Sequence, residues 1–173
     1  MTEDLLFPDA IRSFGVSGTR ETMTSVQEHA FFDLMLRAIR AGATELHHGA
    51  CTGADQFAHW HMTEHRIITH VHPPVDKKYS AETFLLRHVL RVDYEAKPYG
   101  ERNQDIVDAS DVLLIAPLFP ENDPKSKRSG TWMTARMADA AGKLVLVADS
   151  EGKQSKYVAT RPRTAKQSLT EGS

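Results

Sequence analysis

The sequence predicts an α/β fold, a Rossmann-like three-layer sandwich around a mainly parallel, five-stranded sheet. Short apolar runs alternate along the chain with amphipathic stretches, which is typical of parallel strands joined by crossover helices. The run at 112–116 is almost wholly apolar, as expected of a strand that is buried on both faces. The length of 173 residues, of which 40% are hydrophobic, suits one domain with a packed core.

Strand and helix signals alternate from residue 12 onward. Short apolar runs between turn signals predict five strands, over 12–16, 45–48, 67–71, 112–116 and 144–148. Apolar residues at helical spacing predict the helices, over 24–41, from the 49–55 loop to 64, over 79–93, over 102–109, and from 131 to 141. Gly42 and Gly142 follow the first and last helices, as glycine commonly does where a helix ends.

The domain is expected to span 1–149, and 150–173 is expected to be a flexible, basic tail because it is polar and aperiodic. Residues 151–173 carry five basic and two acidic side chains, so the rest of the chain has a net charge of −5 against −2 for the whole. An acidic domain argues against tight, sequence-independent binding to long nucleic acid. It does not argue against a small anionic ligand held by a few local donors.

Composition also indicates the compartment. The single cysteine, Cys51, excludes a disulfide scaffold. No apolar run is long enough to span a bilayer, and the acidic N-terminus lacks the basic region of a secretory signal. We therefore expect a cytoplasmic protein without a membrane partner.

Three glycine-containing loops leave predicted strand ends or open helices. Such loops offer backbone N–H groups near a helix start, where the helix dipole favours an anion. In open parallel sheets, ligands bind at the carboxyl ends of the strands. The candidate ligand residues in these loops are Ser17, Gly18, Thr19, Arg20, Gly49, Thr52, Gly53, Asp55, Arg128, Ser129, Gly130 and Thr131. The alternative for each loop alone is an ordinary turn with a helix cap.

The loops match neither common phosphate-binding fingerprint. The sequence contains no G-x-G-x-x-G after the first strand and no G-x-x-x-x-G-K-[ST]. This disfavours ordinary NAD or ATP–magnesium sites, and no cofactor is predicted.

Several polar residues outside the loops are further candidates. His72 ends the third strand, where it can contact a ligand. Glu101 is a weak candidate for acid–base catalysis, with a solvated surface charge as the alternative. His61 and His65 have the i, i+4 spacing of metal ligands, but a solvated helix face explains them better, so no metal is predicted.

The order of the motifs resembles the SLOG superfamily, a Rossmann-like group that includes DNA-processing protein A and the "lonely guy" phosphoribohydrolases, related to lysine-decarboxylase-like proteins. The matching pieces lie within about residues 11–148, and the match to the DNA-processing protein A core is the better one. The matching pieces are Gly15-Val16-Ser17-Gly18-Thr19-Arg20, His48-Gly49-Ala50-Cys51-Thr52-Gly53-Ala54-Asp55, His72-Pro73-Pro74, Arg102-Asn103 and Arg128-Ser129-Gly130-Thr131-Trp132-Met133-Thr134-Ala135.

The resemblance implies that the strand ends bind a nucleotide or a nucleotide-derived phosphate ligand, and it adds Arg102 and Asn103 to the expected contacts. A binding or sensor module is the preferred function. The alternatives are an N-glycosidic hydrolase acting on nucleotides and a single-stranded DNA-binding protein in DNA processing. Thr134 stands where the phosphoribohydrolases carry their catalytic glutamate, so enzymatic activity is left open. A homodimer is expected, with the 79–93 helix as its candidate face.

Overall fold

A seven-stranded sheet forms the centre of the computed structural model, which describes residues 5–81 and 90–160. Its strands are β1 (Ser13–Gly18), β2 (Glu45–His48), β3 (Ile68–Val71), β4 (Arg91–Asp93), β5 (Val112–Ala116), β6 (Leu144–Ala148) and β7 (Gln154–Lys156). They lie in the order β4-β3-β2-β1-β5-β6-β7. All neighbours pair in parallel except β7, which is antiparallel to β6. The predicted α/β fold is confirmed, with two more strands than expected.

Within the described residues, four α-helices cover the two faces of the sheet. They are α1 (Ser25–Arg40), α2 (Ala54–Glu64), α3 (Tyr99–Ala109) and α4 (Gly130–Ala140). Side-chain oxygens cap two of them: Thr24 accepts from the N–H of Gln27 at the start of α1, and Ser129 accepts from that of Trp132 at the start of α4.

The core has two layers because the side chains of a strand alternate between its faces. All of β5 is buried. Its residues Val112 and Leu114 pack with α1 and α2, whereas Leu113 and Ile115 pack with α3 and α4. Burial on both faces explains why this strand reads as a continuous apolar run.

The prediction of a helix over 79–93 is wrong for both ends of this segment, which the structure describes. Residues 79–81 form no helix, and Arg91–Asp93 forms the edge strand β4, paired with β3. Val92 is 39% exposed instead of lying on an apolar helix face. The open backbone edge of β3 is satisfied by this pairing, which outweighs the local helical spacing. Residues 82–89, where most of the proposed dimer face falls, lie outside the described residues.

The start of the predicted tail, at residue 150, is placed too early in the chain. Gln154–Lys156 pairs with β6, and Tyr157 is only 8% exposed. A three-residue edge strand has too few inward side chains to show an apolar period, so the composition concealed it. Residues 161–173 lie outside the described residues. Within the described ones, no helix is long and apolar enough to cross a membrane.

Candidate functional site

A cavity of about 310 Å³ lies at the carboxyl ends of β1 and β5. The chain adds β2, β3 and β4 on one side of β1 and then crosses over to β5 on its other side. This reversal is the topological switch point at which open α/β sheets bind ligands. The loops after β1, β2 and β5 all reach the cavity.

Twelve of the predicted ligand residues line this one cavity. They are Ser17, Gly18, Thr19, Arg20, Gly49, Asp55, Arg102, Asn103, Arg128, Ser129, Gly130 and Thr131. Sequence reasoning did not select the other lining residues, which are Val16, Glu21, Cys51, Tyr79, Tyr99, Ile106, Leu118, Phe119, Lys125, Ser126 and Met133. Five of these lie within two positions of a selected residue: Val16, Glu21, Cys51, Ser126 and Met133. Tyr79 and Tyr99 have no motif beside them that could have found them.

Four predicted residues do not line the cavity. Thr52 donates its hydroxyl to the carbonyl oxygen of Arg20 at 2.8 Å, which fixes one loop to the next. Gly53 opens α2 with φ +81°, where a Cβ would lie 2.2 Å from the carbonyl oxygen of Thr19. His72 belongs to a buried group of aromatic rings away from the cavity, and Glu101 is exposed on α3.

The first loop carries a cation held between two aromatic rings. The guanidinium of Arg20 lies 4.4 Å from the ring centre of Tyr79 and 4.8 Å from that of Tyr99. These contacts orient the charge at the cavity without neutralising it. Behind it, the N–H of Thr19 donates to the carbonyl oxygen of Ala116 and ties the loop to the end of β5.

A buried ion pair between Asp55 and Arg102 supports the second loop. One Asp55 carboxylate oxygen accepts from the backbone N–H groups of Gly49 and Cys51 at 3.1 and 3.2 Å and lies 4.0 Å from Nη1 of Arg102. Burial raises the pKa of Asp55, whereas Arg102 and the two N–H donors favour its charged form. Burial, and secondarily Asp55, raises the pKa of the Cys51 thiol, so it is poorly suited to act as a nucleophile.

The buried Arg102 guanidinium has one nitrogen without a partner in the part of the chain that the structure describes. Its Nη1 donates to the carbonyl oxygen of Gly49 at 2.5 Å. Its Nε–H is buried without a hydrogen-bond partner among the described residues. A buried charged donor without a partner is costly unless water or another acceptor satisfies it.

The third loop brings the amino end of α4 to the cavity. The N–H groups of Gly130 and Thr131 belong to the first turn, where no intrahelical acceptor exists. A Cβ on Gly130 would meet no heavy atom within 4 Å, so the cavity is open at this point. Arg128 and Lys125 add exposed positive charges to the same wall.

Thr134 makes no part of the cavity wall. It is fully buried, and its hydroxyl donates to the carbonyl oxygen of Gly130 at 2.7 Å. It therefore supports the first turn of α4 from behind.

The charge of the lining is opposite to that of the domain. Among the described residues, the cations Arg20, Arg102, Lys125 and Arg128 face two carboxylates, Glu21 and Asp55. Together with the start of α4, this excess of positive charge favours an anionic ligand.

The fold and cavity define a Rossmann-like α/β protein with an anion-suited site at its switch point. No family model matches the chain. A search of curated proteins also finds no match.

Solved structures do match. The chain is similar to a molybdenum cofactor binding protein from Rippkaea orientalis, with a TM-score of 0.58 and 17% identity over 80% of this chain and 76% of that one. It is also similar to DNA processing protein A from Helicobacter pylori, named for its single-stranded DNA binding mode, with a TM-score of 0.52 and 19% identity over 79% of this chain and 64% of that one. A third similar structure is the structural-genomics target TM1055, with a TM-score of 0.51 and 14% identity over 78% and 72%. The fold is therefore the Rossmann-like α/β fold that the sequence predicts.

Proposed function

We propose that the protein binds a nucleotide or nucleotide-derived phosphate ligand in the cavity at the carboxyl ends of β1 and β5. The observation that carries this proposal is the convergence of three glycine loops and four basic side chains on that cavity. The phosphate would sit at the start of α4, where Gly130 and Thr131 present N–H groups beside Arg128. The base or sugar would lie toward Tyr99 and Arg102 on the opposite wall.

Cavity size and charge favour a small ligand over a polymer. About 310 Å³ is at the lower end of the range for small-molecule sites. Outside residues 151–173 the chain carries a net charge of −5, which opposes the many phosphate contacts of a long strand. Single-stranded DNA binding remains the second candidate because one structural neighbour is named for it.

The site supports binding better than hydrolysis. An N-glycosidic hydrolase needs a carboxylate placed for acid–base or nucleophilic work. Asp55 is occupied by Arg102 and two backbone donors, and Thr134 is buried behind the helix. Glu101 does not line the cavity, so the exposed Glu21 is the remaining carboxylate among the described lining residues. A cytoplasmic sensor or binding module, acting as a homodimer, is our proposal for the whole protein.

Native mass spectrometry of freshly purified protein tests the ligand class first. We expect a nucleotide that is retained in the native spectrum and released on mild denaturation. Arg128→Ala should lose it. Lys127 is also an exposed cation, lies one residue away and does not line the cavity, so Lys127→Ala should keep the nucleotide.

Titrations with nucleoside mono- and diphosphates, and with a short labelled oligonucleotide, complete the test. Retention of an intact nucleotide together with its saturable binding supports the proposal. Release of free base from a nucleotide would establish the hydrolase instead. Salt-sensitive binding of the oligonucleotide without mononucleotide binding would establish the DNA-binding alternative. Binding of none of these would overturn the proposal.

A further inference from the structure

A second group of ligand-like side chains lies outside the cavity, on β2 and β3. Glu45 and His47 are two residues apart on β2 and therefore share a face of the sheet. His70 is the register partner of His47 on β3. On the other side, His47 is in register with Gly15, whose missing Cβ faces Ile106 of α3. The group thus lies on the α3 side of the sheet.

The candidate ligand atoms of the three side chains lie close together, with the His47 and His70 rings stacked at 4.2 Å between centres. Oε2 of Glu45 lies 3.3 Å from Nε2 of His70 and 3.8 Å from Nε2 of His47, and all three ligand atoms lie within 4.8 Å of one another. Both Nε2 atoms are buried and have no hydrogen-bond partner among the described residues. The His47 side chain as a whole is only 4% exposed. Unpartnered buried imidazole nitrogens that face a carboxylate call for an ion or a proton between them.

Each of the three side chains is also held from behind. Nε and Nη2 of Arg12 donate to the other Glu45 oxygen at 3.0 and 2.9 Å. Nδ1 of His47 lies 3.0 Å from Nε2 of His72, and Nδ1 of His70 lies 2.9 Å from the Tyr94 hydroxyl. A proton on each Nδ1 satisfies these bonds and leaves both Nε2 lone pairs free. Such outer partners typically orient the ligands of protein metal sites.

We propose that Glu45, His47 and His70 bind one divalent transition-metal ion, with Zn²⁺ as the best-suited ion. Two imidazoles and one carboxylate are a donor set that zinc accepts, at about 2.0–2.2 Å per ligand. Tetrahedral ligands at that distance are about 3.3 Å apart. The ligand atoms, which lie within 4.8 Å of one another, need to approach, and the stacked rings of His47 and His70 need to turn toward the ion. Three protein ligands leave one position for water, which is the arrangement of an open zinc site.

This inference departs from the expectation of no metal in the sequence. The sequence drew attention to the i, i+4 pair His61 and His65 on α2, but these rings pack against Phe32. The residues that converge come from two different strands, so their spacing along the chain carries no metal signature. The proposal is independent of nucleotide binding, because none of the three ligands lines the cavity.

Metal titration of the full-length, tag-free, chelator-treated protein tests the proposal. Calorimetry with Zn²⁺ should give one equivalent of saturable binding, and Co²⁺ should give the visible absorption bands of a tetrahedral or five-coordinate site. His70→Ala, which removes a partly exposed ligand, should weaken Zn²⁺ binding by about 100-fold or more. Glu45→Gln keeps the shape of the side chain and should also weaken it strongly.

The control variant is His65→Ala, which removes an imidazole from the α2 pair and should bind Zn²⁺ as the wild type does. Circular dichroism in the absence of metal confirms that each variant is folded. The proposal is overturned if the wild type shows no saturable binding, if folded His70→Ala and Glu45→Gln bind with wild-type affinity, or if His65→Ala loses the site.

Discussion

Arg102 and Gly49 occupy space that only a glycine permits. Nη1 of Arg102 donates to the Gly49 carbonyl oxygen at 2.5 Å, and a Cβ built on Gly49 would lie 1.3 Å from that same nitrogen. The second glycine loop therefore binds the buried Arg102 guanidinium and also brings its own backbone to the cavity. The Arg102–Asp55 ion pair depends on this contact, because Asp55 accepts a hydrogen bond from the N–H of Gly49 in the same loop.

Replacing Gly49 should therefore disturb the floor of the site. In Gly49→Ala the new Cβ would displace the Arg102 guanidinium from its contact with residue 49 and leave a buried charge poorly paired. We therefore expect a loss of about 2 kcal/mol or more in the free energy of unfolding. Urea unfolding measures this loss. Gly100→Ala is the matched control: its Cβ meets nothing within 4 Å, and it lies in α3, where alanine is favoured by up to about 1 kcal/mol. Equal stability of Gly49→Ala and the wild type would contradict this role for Gly49.

The same loop shows what the sequence could predict and what it could not. Asp55 is predicted from its glycine loop, and Arg102 is a ligand contact that the family resemblance implies. Their ion pair joins residues 47 positions apart, and no local pattern encodes that distance. Tyr79 and Tyr99 were missed because they lie in irregular or helix-start segments whose place at the cavity depends on tertiary packing. His72 was selected by its place at a strand end, but its ring turns to His47 on the sheet face.

Gly130 should tolerate a side chain in the fold but not in the complex. Gly130→Glu would place a carboxylate at the open start of α4, where the proposed phosphate sits, so binding should be lost by like-charge repulsion and steric exclusion. The free energy of unfolding should stay within about 0.5 kcal/mol, because no neighbour is displaced. Gly100→Glu adds the same acid to the first turn of α3, outside the cavity, and should bind normally. Unchanged affinity of Gly130→Glu in a nucleotide titration would refute this placement of the site.

Buried histidines should make the fold sensitive to mild acid. Burial is the main cause that lowers the pKa of His72 from 6.5 to about 4, so the unfolded chain binds a proton there before the folded chain does. The stability that neutral His72 contributes is complete above pH 6.5 and is lost as the pH falls from 6.5 toward 4, by roughly 3 kcal/mol in all at about 1.4 kcal/mol per pH unit. The free energy of unfolding of metal-free protein, measured between pH 7.5 and 5, should therefore fall more steeply for the wild type than for His72→Gln. Exposed His29 serves as the control, since His29→Gln should keep the wild-type slope. Identical slopes for His72→Gln and the wild type would rule out this contribution.

Tyr157 should contribute strongly to stability, although composition alone places it in a tail. Its ring is 8% exposed and packs against Trp132 with ring centres 5.5 Å apart, and its hydroxyl donates to Glu121 at 2.8 Å. Tyr157→Ala should cost about 3 kcal/mol in the free energy of unfolding, because it opens a cavity in the core layer under α4. Val158→Ala is the matched control: this neighbouring side chain is 66% exposed, and its removal should change stability by less than about 0.5 kcal/mol. Urea unfolding of the two variants separates a folded edge from a tail. Two equally small effects would mean that β7 and Tyr157 do not belong to the cooperative domain, whereas a large loss in Tyr157→Ala alone would extend that domain past residue 150.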